Sequence, residues 1–593
     1  MLSLLWLIPA LPAAGSVLLV LLGRRLGRAG TAWVGTGSVG LSAVLALLVC
    51  GSFLAAPPTG DAYRQVLWTW FDVGGFAPTI GLHLDAVSVV WVLVITVVGF
   101  LIHLYSVEHM ERDDGFTRFF IYMDLFVFSM LVLVLADNLL LLYLGWEGVG
   151  LCSYLLIAFW QEDTQNVYSG RKAFIVTRVG DTALIAGLFL LFTHYHTLEI
   201  GPLMAAIGAT ASRGDPVLVA AGLLLLGGAV GKSAQVPLQT WLPDAMAGPS
   251  PVSALIHAAT MVTAGIYLIT RLNPIMAQAG WANDVIAWTG AITALVAATA
   301  AVAQTDIKKV LAYSTVSQLG YMFLAVGTQT YVAGVFHMVT HAFFKALLFL
   351  GAGAVIHSMS HEQAMRRYGN LRKYLPITFG TFFVGWLAIA GVPPLSGFWS
   401  KDEILAGTFN SGPQGKVLWI IGLAVAALTA AGISGSGPNA ASIALAPNPL
   451  TLSVNDTGSV NVQVSNAQNL GAFEFIIAFD PAVVHASGVT LGPMLTGSGT
   501  YTAYLLGPLI DNTAGTVRFA AYTLGTGAGP NGSGVLATMQ FQGMSAGTSG
   551  LTFTKVRITD RSAVIDAGAA ATNGSVVVGS GSGPRMWLPT LRK

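Results

Sequence analysis

One stretch of the sequence decides the fold: Val217-Leu-Val-Ala-Ala-Gly-Leu-Leu-Leu-Leu-Gly-Gly-Ala-Val-Gly-Lys-Ser-Ala-Gln-Val-Pro237. It begins a predicted span over residues 217–246, and about 20 mostly apolar residues are enough to cross a bilayer. Yet the stretch contains Lys232, an ionisable residue where lipid is expected, and Pro237, which interrupts a helix. It therefore indicates a membrane helix that is broken beside a buried charge.

The composition agrees with a membrane protein. Of the 593 residues, 54% are hydrophobic and only 9% are charged, whereas a soluble domain has about 25% charged residues. This excludes a cytosolic enzyme and a disordered chain. The 28 Lys and Arg residues nearly balance the 27 Asp and Glu residues, which excludes a basic nucleic-acid binder and predicts no nucleic-acid partner. Cys50 and Cys152 are too few for a disulfide framework or a Cys-based metal site.

Apolar runs of this kind recur throughout residues 1–433, which predicts an all-α polytopic membrane bundle. The thirteen predicted spans lie near 1–22, 32–56, 82–104, 117–135, 138–160, 173–193, 217–246, 251–271, 284–303, 310–328, 331–357, 375–400 and 416–432. The composition changes at a predicted Gly/Ser linker, 434–439. A predicted β-sandwich over 440–579 and a short tail, 580–593, follow it.

The distribution of basic residues predicts the orientation of the bundle. Alternate loops carry thirteen basic residues: Arg24, Arg25, Arg28, Arg112, Arg118, Arg171, Lys172, Lys308, Lys309, Arg366, Arg367, Arg372 and Lys373. The opposite loops and span ends carry five: Arg64, Arg213, Arg271, Lys401 and Lys416. Because cytoplasmic loops are enriched in Lys and Arg, we expect the N-terminus outside. We expect the first run to be a span rather than a signal peptide, since its basic residues follow it.

A series of ionisable residues falls inside or at the ends of the predicted spans, where each costs at least about 2.5–3.5 kcal/mol. The series is Glu147, Arg178, Asp181, Lys232, His257, His337, His341, Lys345, Lys401 and Asp402. The spacing of four from His337 to Lys345 places those side chains on one helical face. Satisfied structural ion pairs are one explanation, above all for Arg178 and Asp181. Acids and bases alternating across consecutive spans favour a proton relay.

Two predicted helices are interrupted, at Gly231–Pro237 and at Gly391–Gly397. Broken helices at membrane depth are tolerated beside protein or water. Because the two breaks lie five spans apart, they predict inverted five-helix repeats, an arrangement typical of transporters. Two unrelated proline kinks are the alternative.

Four motifs carry a resemblance to a known family. They are Asn138-Leu-Leu-Leu-Leu-Tyr-Leu-Gly-Trp-Glu-Gly-Val-Gly-Leu-Cys-Ser-Tyr154, the segment 231–265, Ala312-Tyr-Ser-Thr-Val-Ser-Gln-Leu-Gly-Tyr-Met322 and Phe398-Trp-Ser-Lys-Asp-Glu-Ile-Leu405. Over about residues 1–431 the chain resembles subunit L, the antiporter-like membrane subunit of bacterial NADH:quinone oxidoreductase (respiratory complex I). The resemblance implies a proton-translocating subunit in the bacterial inner membrane. Its implied partners are the lipid bilayer and the other membrane-arm subunits.

The resemblance also assigns roles to the buried residues. It implies that Glu147 and Lys232 form the ion pair of a first half-channel and that His257 bridges onward. From their spacing of three, we expect Arg178 and Asp181 to form a supporting ion pair. It implies two further groups: a central axis of His337, His341 and Lys345, and a terminal exit of Lys401 and Asp402. No cofactor is expected in this chain. NADH, FMN, iron–sulfur clusters and quinone are expected in partner subunits. The family continues with further helices beyond the point, near Leu428–Gly432, where this resemblance stops.

The C-terminal part predicts a different architecture. Short strands alternate with Gly and Asn turns, which is typical of a β-sandwich. The predicted strands are Ser442–Leu445, Leu450–Val454, Ser459–Val464, Ala472–Phe479, Thr516–Tyr522, Gly534–Gln542, Gly550–Val556 and Ser575–Val578. Segments 471–484 and 532–541 resemble cohesin domains, which are jelly-roll-like. This implies a dockerin-bearing partner or a carbohydrate-associated role. A generic bacterial surface sandwich is the alternative.

The two parts predict opposite locations. Thirteen spans from an outer N-terminus place residue 434 in the cytoplasm, whereas a cohesin-like module belongs outside. Either the last span does not insert or the chain joins two genes, which long-read sequencing across codons 425–440 tests. We expect a proton-translocating complex I subunit. The alternatives are an Mrp-type sodium/proton antiporter subunit and a membrane-tethered binding scaffold or chimeric gene product.

Overall fold

The computed structural model describes residues 1–74, 76–368, 371–433, 441–467, 469–496, 501–525, 528–561 and 570–579. The chain divides into two compact units. The first comprises Met1–Gln363 and Arg372–Gly435, and the second comprises Ala364–Leu371 and Ser436–Lys593. The first unit is helical and the second is built from β-sheets, which confirms the predicted fold class. The predicted linker 434–439 and the predicted tail 580–593 lie outside the described residues.

The helices of the bundle have the following bounds. They are α1 Leu7–Ala55, α2 Ala86–Leu93, α3 Gly99–His109, α4 Phe116–Leu135, α5 Leu139–Ile157, α6 Thr164–Tyr195, α7 Ile200–Thr210, α8 Pro216–Lys232, α9 Trp241–Asp244, α10 Ser250–Ala254, α11 Ala264–Arg271, α12 Asn273–Gln278, α13 Ala282–Val302, α14 Ile307–Gly327, α15 Tyr331–Ser358, α16 Leu371–Tyr374, α17 Pro376–Ala390, α18 Ser396–Asn410 and α19 Pro413–Ile433. A π-helical turn, Val94–Val98, joins α2 to α3, and a second, Leu255–Ala259, follows α10.

Nine helices in the described part of the chain are long and apolar enough to cross a membrane. The first, Leu2–Ala55, contains both of the first two predicted spans, with a kink at Gly27 (φ 64°, ψ −176°) that glycine adopts readily. The predicted span 217–246 is interrupted after Lys232, and the predicted span 375–400 is interrupted after Ala390. Both interruptions fall where the proline pattern predicts them.

A β-hairpin that the sequence reading missed precedes α2. Strands β1 (Ala62–Thr69) and β2 (Thr79–Asp85) pair antiparallel. The helix therefore begins at Ala86, whereas the sequence predicted that this span begins at residue 82. Asp85 ends the strand and caps the helix, because its carboxylate accepts from the Ser88 amide at 2.9 Å.

Helices α13 and α14 pack with their backbones in direct contact. A Cβ at Gly290 would lie 2.6 Å from the Gly320 carbonyl oxygen, and a Cβ at Gly320 would lie 2.6 Å from the amide nitrogen of Ala294. Small residues at such positions allow membrane helices to approach closely. Glycine is therefore required at both positions.

The second unit contains two facing sheets. Its strands are β3 Ser442–Ala446, β4 Leu450–Ser453, β5 Thr457–Ala467, β6 Leu470–Ala478, β7 Val484–Leu491, β8 Tyr501–Asp511, β9 Thr516–Gly525, β10 Gly532–Gly543, β11 Gly547–Asp560, β12 Ala570–Thr572 and β13 Gly574–Gly579. The five-stranded sheet has the order β12-β3-β5-β10-β7, and the six-stranded sheet has the order β4-β13-β11-β6-β9-β8. Phe475, Phe519 and Phe541 lie fully buried in the core. The sequence reading missed β7, β8 and β12.

Candidate functional site

Four charged side chains from α5, α6 and α8 form one connected network. The Arg178 guanidinium contacts the Glu147 carboxylate directly. The same guanidinium lies 3.9 Å from Asp181, as the spacing of three suggests. The Asp181 carboxylate lies 3.3 Å from the Lys232 ammonium. The order is therefore Glu147, Arg178, Asp181, Lys232.

This order corrects the expected ion pair. Within the described residues, Glu147 and Lys232 form no direct pair, since Arg178 lies between Glu147 and Asp181. The outer pair is the more exposed: the side chain of Arg178 is 44% exposed and that of Glu147 is 20% exposed, whereas those of Asp181 and Lys232 are buried. Arg178 and Asp181, expected only to support the pair, connect its two members.

Glycine and tryptophan residues position this network. A Cβ at Gly180 on α6 would lie 2.9 Å from the Cα of Gly231 on α8, so the two helices meet closely beside Lys232. A Cβ at Gly150 would lie 2.6 Å from the Lys232 nitrogen, so this glycine leaves room for the ammonium. The Trp146 indole donates to Asp181 at 2.6 Å and fixes the carboxylate.

His257 lies in the π-helical turn Leu255–Ala259 and is fully buried. Its ring centroid is 6.0 Å from that of Trp241 and 6.4 Å from that of Phe349. Neither of its ring nitrogens has a hydrogen-bond partner among the described residues. A buried imidazole with two unused nitrogens is suited to accept and release a proton through water.

The three α15 residues are all buried, and each has a polar contact. His337 contacts the Ser400 hydroxyl at 2.9 Å and the Gln318 amide oxygen at 3.1 Å. His341 contacts the carbonyl of Ala258, the neighbour of His257, at 3.0 Å. Lys345 completes the column and donates to a backbone carbonyl of α14. We call His337, His341 and Lys345 the α15 column.

The second broken helix contributes Lys401. Its ammonium donates to the Ile389 carbonyl at 2.5 Å, near the interruption between α17 and α18. It also lies 5.6 Å from the centroid of the buried Tyr321 ring. The next residue, Asp402, is exposed, so of the two predicted exit residues only Lys401 is buried. Ser400 connects α18 to the α15 column through His337.

Sequence reasoning missed some of the polar groups. Gln318 and Ser400 are uncharged, so a search for buried charges does not detect them. Lys308 was counted as a loop residue, yet it is buried and its ammonium donates to the carbonyls of Met246 and Gly248. No group of three or more His, Cys, Asp or Glu side chains in the described ranges is placed to hold a metal ion.

The second unit has a polar cluster on the outward face of its six-stranded sheet. Lys555 and Arg518 both contact Glu474, at 2.9 and 2.8 Å. Their hydrogen bonds, that of Lys555 above all, hold the pKa of Glu474 below its ordinary value. The leucines of β8 beside this cluster are exposed, with Leu506 at 60% and Leu509 at 63%.

Three family descriptions match separate parts of the chain. Residues 136–429 match "NADH:quinone oxidoreductase/Mrp antiporter, TM", and residues 70–120 match "NADH-Ubiquinone oxidoreductase (complex I), chain 5 N-terminus". Residues 447–580 match the cohesin domain. The matched regions of the two architectures do not overlap.

Individual relatives agree with the membrane match. NADH-quinone oxidoreductase subunit L of Pseudomonas aeruginosa is 52% identical over 419 residues, which cover 70% of this chain and 68% of that protein. The Escherichia coli subunit L is 52% identical over 404 residues, which cover 68% of this chain and 65% of that protein. The chain thus spans about two thirds of the length of these relatives.

Two solved structures resemble the bundle. The Mrp complex from Dietzia sp. has a TM-score of 0.65 and 29% identity, and the match covers 72% of this chain and 46% of that chain. An archaeal membrane-bound sulfane sulfur reductase has a TM-score of 0.62 and 22% identity, and the match covers 72% of this chain and 86% of that chain. The second likeness concerns the fold alone.

Proposed function

The chain belongs to the NADH-quinone oxidoreductase subunit L family, and on this premise we propose that its first unit translocates protons as a membrane subunit of that complex. The observation that carries the proposal is the series of ionisable side chains from Glu147 to Lys401. It begins with alternating acids and bases and continues with buried lysines and histidines across the bundle. Electron transfer takes place in partner subunits, which hold NADH, FMN, iron–sulfur clusters and quinone. This chain contributes the proton path.

The network geometry supports a specific sequence of proton movements. While Lys232 is protonated, Asp181 balances its charge at 3.3 Å. Because Arg178 contacts both Glu147 and Asp181, it compensates the charge that Asp181 carries when Lys232 releases its proton. His257 receives that proton through water, and the α15 column continues the path to Lys401.

The test replaces Lys232 with Ala in the assembled complex and measures NADH-driven proton pumping in inverted membrane vesicles. We expect pumping to be lost. The matched control is Lys416→Ala, which removes an exposed lysine of the same bundle and leaves pumping unchanged. Normal pumping in the Lys232→Ala vesicles would remove Lys232 from the path.

An Mrp-type sodium/proton antiporter subunit is the second candidate, favoured by the likeness to the Dietzia structure. The two candidates differ in the ion that drives exchange. Proton flux that requires a sodium gradient would favour the antiporter, and flux that requires NADH oxidation would favour the complex I subunit.

For the second unit we propose a protein-binding role, with a dockerin-bearing protein as partner. The proposal rests on the cohesin match and on the outward face where Leu506 and Leu509 flank the charged cluster around Glu474. Binding of a dockerin panel to the full chain in nanodiscs tests it. Leu509→Asp should abolish binding, and Thr490→Asp, an exposed residue on the other sheet, should not. Binding of oligosaccharides but not of dockerins would favour a carbohydrate role.

A further inference from the structure

A polar cavity of about 710 Å³ lies in the first unit, and its lining contains none of the residues of the proposed relay. Its wall includes His109 from α3, Lys308 from α14, His357 from α15 and His361 just beyond α15. None of these residues belongs to the predicted site. The cavity lies at the end of the bundle whose basic loops predict a cytoplasmic location.

The histidines form a series of increasing burial. His361 and His357 are exposed and His109 is half-buried, whereas Lys308 is only 4% exposed. The ring centroids of His361 and His357 are 6.2 Å apart, and those of His357 and His109 are 5.9 Å apart. A single water can bridge such separations between ring nitrogens. Imidazole is the side chain that ordinarily gains and loses a proton near neutral pH.

Lys308 forms the inner end of this series. Its ammonium donates to the carbonyls of Met246 and Gly248, each at 2.7 Å. Both carbonyls lie just beyond α9, in the region where the first broken helix ends. On the cavity side, Lys308 shares the wall with His109.

The cavity and the α15 column meet on α14. Lys308 lies in the first turn of that helix, and Leu311 lies one turn further along it. The Leu311 carbonyl accepts a hydrogen bond from Lys345 at 3.0 Å. The innermost group of the cavity therefore belongs to the same helix that accepts a hydrogen bond, one turn further on, from the last member of the column.

Five other charged groups line the same cavity: Arg112, Asp113, Asp244, Asp306 and Lys309. Its carboxylates already have structural partners. Asp113 accepts from the Trp160 indole, and Asp244 pairs with Lys172. Asp306 caps α14 by accepting from the backbone amides of Lys308 and Lys309. The imidazoles remain as the groups available to carry protons.

We propose that this cavity is a proton-uptake vestibule, in which His361, His357 and His109 pass protons from bulk water to Lys308, and Lys308 supplies the α15 column at Lys345. Each imidazole accepts a proton at one ring nitrogen and releases one from the other. Lys308 releases a proton inward and regains one from His109, so no other reactant is needed. This inference rests on the proposed proton-translocating function.

The test measures proton flux into liposomes that contain the full chain and an internal pH-sensitive dye, driven by a potassium diffusion potential. The double variant His357→Asn/His361→Asn keeps polar, hydrogen-bonding side chains but removes the titratable groups. We expect its flux to fall about tenfold, which is less than the roughly 10²–10⁴-fold typical for loss of a positioned acid–base group, because cavity water partly replaces the imidazoles. The titratable variant His357→Glu/His361→Glu should restore flux with a pH profile shifted to lower pH.

Two controls separate this inference from the function on which it rests. His194→Asn changes an exposed histidine at the far end of α6 and should leave flux unchanged, whereas Lys401→Ala should abolish it. Normal flux in the double Asn variant, with flux lost in Lys401→Ala, overturns the vestibule alone. Reduced flux in the Asn and Glu variants alike assigns a structural role to the histidines and also overturns it. Full flux in Lys401→Ala overturns the proposed function, and the vestibule with it.

Discussion

Replacing Asp181 with Asn should destabilise the bundle through the loss of one charge. Asparagine keeps the shape of the side chain and an oxygen that can accept from the Trp146 indole. What disappears is the negative charge 3.3 Å from the Lys232 ammonium, which is fully buried. The substitution therefore isolates the electrostatic contribution of Asp181.

The magnitude follows from this geometry. Coulomb's law over 3.3 Å, with an effective dielectric constant of about 20, gives an attraction of about 5 kcal/mol. Removing one partner of a buried pair typically costs about 3–5 kcal/mol, because the remaining charge is left without compensation. We therefore expect the free energy of unfolding to fall by about 3–5 kcal/mol.

Titration of the full-length protein with sodium dodecyl sulfate in detergent micelles measures this change. The double variant Asp181→Asn/Lys232→Met also removes the buried cation, and it should recover most of the lost free energy. Asp402→Asn is the matched control, because it removes an exposed carboxylate and should change stability by less than about 0.5 kcal/mol.

Two results would refute this reasoning. If Asp181→Asn proves as stable as Asp402→Asn, the contact with Lys232 contributes nothing to folding. If the double variant is less stable than the single one, Lys232 stabilises the bundle through other contacts.

Three further predictions concern packing, charge and the hairpin. Gly180→Ala should lower the free energy of unfolding by about 1–3 kcal/mol, since its Cβ would press on the backbone of α8. Gly201 has open space around it, so Gly201→Ala should leave the free energy of unfolding unchanged. Unfolding in detergent compares the two variants. Glu474 has a lowered pKa, so its contribution to stability is present above its ordinary pKa and is lost as pH falls through the lower folded value. The protection of peptides 470–525 against hydrogen exchange in the full chain, corrected for the slower intrinsic exchange of amides at lower pH, should therefore decrease on acidification, and Glu474→Gln should remove that part of the change. Arg64→Ala should speed exchange in β1 and cost about 1–3 kcal/mol, because it leaves the buried Asp137 without its cation.

Each of these predictions has a contrary outcome. Equal stability of the two glycine variants would mean that α6 and α8 separate without cost. An unchanged acid response in Glu474→Gln would assign that response to other carboxylates. Unaltered exchange in β1 after Arg64→Ala would mean that backbone pairing alone holds the hairpin.

The sequence was sufficient to predict the two architectures and the positions of the two helix breaks. Apolar runs and prolines are local signals, and each acts on the helix that contains it. The partners of buried charges are not local. Lys232 pairs with Asp181 rather than with Glu147 because α6 and α8 approach closely through Gly180 and Gly231, and spacing along the chain carries no information about that contact.

Strand β8 shows a different limit. Its central leucines, Leu505 and Leu506, are followed by Gly507 and Pro508, which interrupt the alternation expected of a strand. As an edge strand, β8 needs only one neighbour, and it exposes apolar residues that a core strand would bury. The hairpin before α2 was missed for a related reason, since its last residues continue directly into an apolar helix.

The glycine contact between α13 and α14 has a mechanical consequence. With backbone against backbone at Gly290 and Gly320, neither position has a side chain that could absorb sliding of one helix along the other. Helices α13 and α14 must therefore move together as one rigid unit. Any shift of Lys345 relative to Leu311 that accompanies turnover has to arise from movement between α15 and the α13–α14 pair, and a covalent crosslink between α13 and α14 should leave transport intact.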